Sequence, residues 1–129
     1  MSDAAALAGR LLLALLFILG ALQKLNDPEP AMTLLTDRGL PPLLAWPAIL
    51  FEILAGFALL IGFQTRLTAL ALAAFSVVTA ALYHFDPANS AQMTMFLKNV
   101  AMAGGYIALA VAGAGALALD GRLRPATAA

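Results

Sequence analysis

The sequence of 129 residues has no cysteine and few charges, with seven basic and seven acidic side chains. The absence of cysteine excludes disulfides, dithiol redox chemistry, thiolate metal sites and cysteine-ligated iron–sulfur clusters. No lysine- or arginine-rich run is present, which argues against nucleic-acid binding. A single histidine cannot supply the paired axial ligands of a membrane b-type haem. We therefore predict no haem, metal or iron–sulfur cluster, and no catalytic residue can be named because phosphate-loop, nucleophile-elbow and zincin motifs are also missing.

What the sequence does contain is apolar residues, which make up 63% of the chain against 11% charged. A soluble domain carries about a quarter charged residues, and a chain of this length cannot bury so many apolar side chains in its own interior. A bilayer crossing needs about 20 helical residues. Stretches of suitable length run over about residues 4–25, 43–63, 67–84 and 93–119. The sequence therefore predicts one domain over residues 1–129, an all-α integral membrane four-helix bundle.

The first stretch also has the length of a signal peptide. We interpret it as a span, because Asp3 interrupts a basic n-region and no small-x-small cleavage site follows Leu22. Proline and glycine break the chain between spans, and residues 26–42 leave room for one short interfacial helix.

Four crossings place both termini on the same side of the membrane. The basic residues predicted on that side are Arg10, Arg66, Arg122 and Arg124, and those predicted on the other are Lys24, Arg38 and Lys98. The positive-inside rule favours cytoplasmic termini by this narrow margin. We thus predict a multi-pass protein of the bacterial inner membrane that contacts the lipid bilayer and is a candidate homo-oligomer.

Charged residues within spans are costly and usually face the bundle interior or an aqueous cavity, so each is a candidate functional residue. Glu52 lies roughly 13 Å along a span that begins near residue 43. The predicted topology brings Lys24, His84, Lys98 and Asn99 into the same half of the membrane. Glu52 has two candidate partners there, Lys24 and Lys98, and His84 would titrate near neutral pH. Two interpretations stay open: a binding or proton-handling site, and a buried structural network.

Other polar residues fall elsewhere in the spans. Tyr106 lies inside the fourth span, where its hydroxyl needs a partner, and is a candidate ligand contact. We interpret Arg10, at the opposite membrane surface, as a snorkelling anchor. Ser76, Thr79 and Tyr83 form a stripe that predicts hydrogen bonds between helices.

Several segments resemble the DoxX family of small four-span bacterial membrane proteins, over nearly the whole chain. Residues 96–105 (FLKNVAMAGG) and 113–120 (GAGALALD) are similar to the family's FLKN…GG…GxGxxSLD signature. Glu52 and Gly56 with residues 59–66 (LLIGFQTR) are similar to its E…GG…LLxGxxTR segment. The pattern R…F…G…K is matched by Arg10, Phe17, Gly20 and Lys24. Two positions depart from these patterns: Ala55 stands where the family has the first glycine of GG, and Ala118 where it has the serine of SLD.

Some members of the family are subunits of a thiosulfate:quinone oxidoreductase, and others associate with oxidative-stress enzymes. The resemblance therefore implies a membrane component of a redox or respiratory system, at most a subunit of a quinone-linked oxidoreductase. With the polar cluster, it makes a quinone headgroup the candidate cofactor. Lys98, His84 or Tyr106 would donate hydrogen bonds to its carbonyls, and Glu52 would manage protons or hold Lys98.

Two alternatives belong to other classes of protein. The first is a non-catalytic scaffold that docks soluble oxidoreductases through Arg66, Arg122 and Arg124. The second is a small-solute or proton-coupled transporter, which the intramembrane acid would suit.

Overall fold

The structure, a computed structural model, describes residues 2–123. It contains six α-helices in these residues: α1 (Asp3–Asn26), α2 (Glu29–Asp37), α3 (Ala45–Ile61), α4 (Thr65–Thr79), α5 (Ser90–Ala112) and α6 (Leu119–Leu123). A short 3-10 helix, Pro42–Leu44, precedes α3, and a π-helical turn, Ala80–His84, continues α4. The segments long and apolar enough to cross a membrane are Asp3–Asn26, Pro42–Ile61, Thr65–His84 and Ser90–Ala112. The predicted all-α, four-span class is confirmed.

Local sequence signals explain where the helices begin and end. The side chain of Ser2 accepts a hydrogen bond from the backbone N–H of Ala5 and caps α1. Asn89 caps α5 in the same way, through the N–H groups of Ala91 and Gln92. Gly62 ends α3 in the left-handed conformation, with φ +74°, which glycine adopts without steric cost. A short turn then reverses the chain into α4.

The bundle interior is packed through small residues and aromatic rings. A Cβ placed on Gly56 of α3 would lie 2.8 Å from a side-chain carbon of Ile18 in α1, so these two helices approach closely only because residue 56 is glycine. Further along α1, the ring of Phe17 packs against Phe75 at 5.9 Å and Tyr106 at 5.7 Å between ring centroids. These contacts join α1 to α4 and α5, and with α3 they close the four-helix arrangement.

Large apolar side chains cover the outside of all four spans. Leu12 is 71% exposed on α1, Leu67 is 67% exposed on α4 and Val111 is 73% exposed on α5. Such a surface is stable only when lipid covers it, because the apolar area would otherwise face water. The bundle is therefore embedded in a bilayer.

The fourth span is shorter than the sequence predicts. We expected it to reach residue 119, but α5 ends at Ala112, where Gly113 (φ +86°) and Gly115 (φ +78°) turn the chain back toward α1. Residues 113–118 have the apolar composition of a membrane-spanning helix. Hydropathy alone does not reveal that their glycines take backbone angles outside the helical region. We call the end of the bundle that holds this segment, Asp3 and the α3–α4 turn the terminal face, and the opposite end, with α2, the loop face.

Candidate functional site

A cavity of about 410 Å³ lies between the spanning helices in the half of the bundle near the loop face. Every spanning helix contributes to its wall, and α2 covers it through Ala31, Leu34 and Leu35. Phe17, Phe75 and apolar residues around them form most of the remaining wall. The polar side chains that line the cavity are Lys24, Glu52, Thr79, Tyr83, His84, Lys98 and Asn99.

Five of the six candidate residues from the sequence line this one cavity, namely Glu52, Lys24, His84, Lys98 and Asn99. The sixth, Tyr106, does not line it. Its side chain is fully buried in the core, and its hydroxyl donates to the backbone carbonyl of Leu13 at 2.9 Å. Tyr106 therefore joins α5 to α1, because its position around the helix axis points it at the neighbouring helix.

Glu52 pairs with Lys24 and not with Lys98. The Nζ atom of Lys24 lies 2.7 Å from Oε1 and 2.8 Å from Oε2, so one ammonium donates to both carboxylate oxygens. The pair is asymmetric, since the Glu52 side chain is 3% exposed and that of Lys24 is 40% exposed. Within residues 2–123 it is the only salt bridge, and Lys98 has no acidic partner within 4 Å.

The π-helical turn positions Tyr83 and His84 on the cavity wall. Such turns are rare and occur often at functional sites, because the extra residue in the turn shifts the side chains that follow. Nδ1 of His84 lies 2.8 Å from Oε1 of Gln92 in α5, so Nδ1 carries the hydrogen and Nε2 is the acceptor of the neutral ring. Nearby, Asn99 uses one amide hydrogen to donate to the carbonyl of Met95.

The polar stripe on α4 does not link helices as we predicted. The hydroxyl of Thr79 donates to the carbonyl of Phe75 in its own helix. Ser76 is fully buried, and its hydroxyl has no partner among the described residues. A serine or threonine hydroxyl in a helix reaches the carbonyl one turn back at no cost in packing, and this local bond competes with bonds to other helices.

Arg10 is not the snorkelling anchor that the sequence suggested. It is 2% exposed, and its guanidinium donates from Nη1 to the carbonyl of Ala114 at 2.7 Å and from Nη2 to that of Leu117 at 2.8 Å. Carbonyls in an irregular segment have no helical partner, and a planar guanidinium can serve two at once. Arg10 thus holds the segment after α5 against α1.

Asp120 completes this connection at the terminal face. Its Oδ1 accepts from the backbone N–H of Gln64 and its Oδ2 from that of Thr65, both at 2.7 Å, so it caps the start of α4 from a distant part of the chain. Its own N–H donates to the carbonyl of Gly62 at 2.8 Å. Burial raises the pKa of this carboxyl, but hydrogen bonds from Thr65 and Gln64 and the charge of Arg10 outweigh it and leave the pKa below its ordinary value of 3.8.

We call these contacts between Arg10, residues 113–120 and the α3–α4 turn the terminal lock. Sequence reasoning missed it, although the motif arginine and the aspartate at the end of the GxGxxSLD-like segment were available signals. Of the three arginines named for a docking role, Arg66 lies against Gly113, and Arg122 is exposed on α6. Arg124 lies outside the described residues.

Comparison with known proteins agrees with this architecture. The DoxX family model matches residues 5–85, so the chain belongs to the DoxX family. The match covers the first three spans, and the FLKN-like segment lies beyond it.

Two curated relatives extend the similarity over the fourth span. The inner membrane protein YqjF of Escherichia coli K12 is 35% identical over 120 residues, which cover 93% of this chain and 92% of that protein. The inner membrane protein YphA of the same organism is 31% identical over 123 residues, covering 90% and 88%. No solved structure matches the chain. With its four apolar helices, the protein is a multi-pass inner membrane protein.

Proposed function

We propose that the protein is a membrane component of a redox or respiratory system, and that its loop-face cavity binds the headgroup of a quinone. The observation that supports this most directly is the meeting of seven polar side chains, drawn from all four spanning segments, on one otherwise apolar cavity. Ligand sites in proteins have this composition, with mostly apolar walls and a few placed polar groups. The volume of about 410 Å³ suits a bicyclic ring.

The polar groups match both redox forms of a quinone. The ammonium of Lys98 would donate to a carbonyl oxygen of the oxidised form. Nε2 of neutral His84 accepts, so it would receive a hydrogen bond from a hydroxyl of the quinol, and the protonated ring would donate to the quinone. The rings of Phe17 and Phe75, which pack against each other, would lie together beside the headgroup.

In this proposal Glu52 acts through Lys24. The bidentate contact fixes the Lys24 ammonium at the wall of the cavity, where one of its three hydrogens is left for a ligand. Glu52 therefore holds Lys24 and not Lys98, which we had expected as an alternative, because Lys24 donates to both carboxylate oxygens.

The test is quinone binding to the purified protein in detergent. We expect Lys98→Ala to weaken binding about tenfold, the loss of one charged hydrogen bond. Arg122→Ala is the matched control, because it removes the same charge from an exposed residue at the terminal face. Glu52→Ala is measured with its melting temperature, so that loss of the ion pair is separated from loss of the fold. Absence of binding to the unaltered protein would remove the cavity from this proposal.

The scaffold and transport alternatives remain predictions. A pull-down of soluble partners with Arg66→Ala and Arg122→Ala tests the scaffold, which requires both variants to lose partners that Lys98→Ala retains.

A further inference from the structure

We infer that the ligand of the loop-face cavity carries one ionised acidic group beside an apolar body, as in the enolate of a hydroxyquinone. This inference rests on the proposed function, because it names the ligand class of the same cavity. It follows from the net charge and the free hydrogen-bond donors of the side chains that line the wall.

The charges on the wall do not balance. Lys24 and Lys98 each contribute a positive charge and Glu52 a single negative one. The Lys24–Glu52 contact neutralises one pair and leaves the charge of Lys98. The other titratable groups on the wall are His84 and Tyr83, and neither carries a negative charge at neutral pH. A ligand with one negative charge would make the lined cavity neutral.

Acidic residues near the loop face do not supply that charge. These residues belong to α2 and the loops, and none of them lines the cavity. They are Asp27, Glu29, Asp37 and Asp86. Two of them already accept hydrogen bonds in their own turns: Asp27 from the N–H of Glu29, and Asp86 from that of Ala88.

Charged donors also outnumber charged acceptors on the wall, since Lys24 and Lys98 face the single carboxylate of Glu52. Lys98 presents three ammonium hydrogens, and Lys24 keeps one after its two bonds to Glu52. Asn99 keeps one amide hydrogen after its bond to Met95. Both oxygens of Glu52, by contrast, are already bonded. An anion rich in oxygen lone pairs satisfies these donors, and charged hydrogen bonds are about twice as strong as neutral ones.

The experiment compares two probes that share one ring system and alkyl chain but differ in charge at position 2. A 3-alkyl-2-hydroxy-1,4-naphthoquinone is ionised at pH 7, and its 2-methoxy ether is neutral. Their dissociation constants are measured by calorimetry in a non-ionic detergent, after correction for partitioning into protein-free micelles. We expect the ionised probe to bind at least about tenfold tighter, the lower end for one charged hydrogen bond.

Variants of Lys98 test whether this residue causes the preference for the ionised probe. Lys98→Gln is expected to reduce the ratio of the two dissociation constants to near one, mainly by weakening the ionised probe. Lys98→Arg keeps the charge and should restore the preference. Arg122→Gln, the same charge loss on the terminal face, should leave the ratio unchanged. Melting temperatures of all three are compared, and the exposed position of Lys98 makes a folded variant the expected outcome.

The outcomes separate this inference from the proposed function. Equal binding of the two probes would overturn the inference and leave the quinone cavity in place. A preference for the ionised probe that survives in Lys98→Gln would also overturn it, because the charge would then come from elsewhere. Binding of neither probe would refute the proposed function together with the inference.

Discussion

Removing the carboxylate of Asp120 should weaken the terminal lock by a predictable amount. Asp120→Ala deletes both acceptors of the Gln64 and Thr65 N–H groups, which lie 2.7 Å from the two oxygens. A charged hydrogen bond contributes about 1.5–3 kcal/mol, and loss of a helix cap costs about 0.5–2 kcal/mol. Because Asp120 is only partly buried, water replaces some of each bond. We therefore expect a loss of about 2–3 kcal/mol in the free energy of unfolding.

Asp120→Asn provides the finer comparison. It keeps one acceptor oxygen but turns an amide donor toward the other backbone N–H, so about half of the loss should remain. Asp37→Asn is the matched control, since it removes the same charge at the loop face. The measurement is reversible unfolding in mixed micelles at pH 7. A change below about 0.5 kcal/mol for Asp120→Ala, within the usual range of exposed surface substitutions, would refute the reasoning.

The same carboxylate predicts a dependence on pH. The pKa of Asp120 in the folded protein is below 3.8, so its contribution to stability is fully present above that value. It is lost as pH falls through the folded pKa, because the unfolded chain then binds the proton more readily. The difference between the unaltered protein and Asp120→Asn should accordingly stay constant near neutrality and shrink only in acid below about pH 4.

Three further substitutions test other parts of the structure by the same unfolding assay. Lys24→Met should lower the free energy of unfolding by about 2–3 kcal/mol. Breaking a fully buried ion pair costs about 3–5 kcal/mol, and the loss is smaller here because Lys24 is 40% exposed. Adding Glu52→Gln should recover part of the loss. Gly62→Ala should cost about 2 kcal/mol or more, since its Cβ would enter the C-terminal segment at a φ of +74°, whereas Gly9→Ala, with open space, should be tolerated. Tyr106→Phe should cost about 1 kcal/mol yet leave quinone binding unchanged.

The main features of the fold could be predicted from hydropathy. Four apolar runs of spanning length leave little choice of architecture, and the number of residues from each span end gives the depth of a side chain in the membrane. For this reason the convergence of Glu52, Lys24, His84 and Lys98 on one half could be anticipated. Depth alone does not say which neighbour a side chain reaches, so the choice of Lys24 as the partner of Glu52 required the three-dimensional packing.

The terminal face was harder to predict. The segment after Ala112 has the apolar composition of a helix, and only the backbone angles of Gly113 and Gly115 show that it turns back. A helix over that segment would give its carbonyls internal partners and leave Arg10 only the membrane surface. The orientation of Tyr106 could not be predicted for a related reason, because a tyrosine in a span satisfies its hydroxyl equally well at a cavity or at a neighbouring backbone.

The terminal lock also bears on how the chain matures. Arg10 belongs to α1, while the carbonyls that receive its guanidinium, on Ala114 and Leu117, are translated 104 and 107 residues later. Until those residues are made, α1 carries a cation without these partners, and in lipid such a group favours the interface over the bundle interior. Full burial of Arg10 in the bundle therefore requires that residues 113–118 have been made and folded against α1.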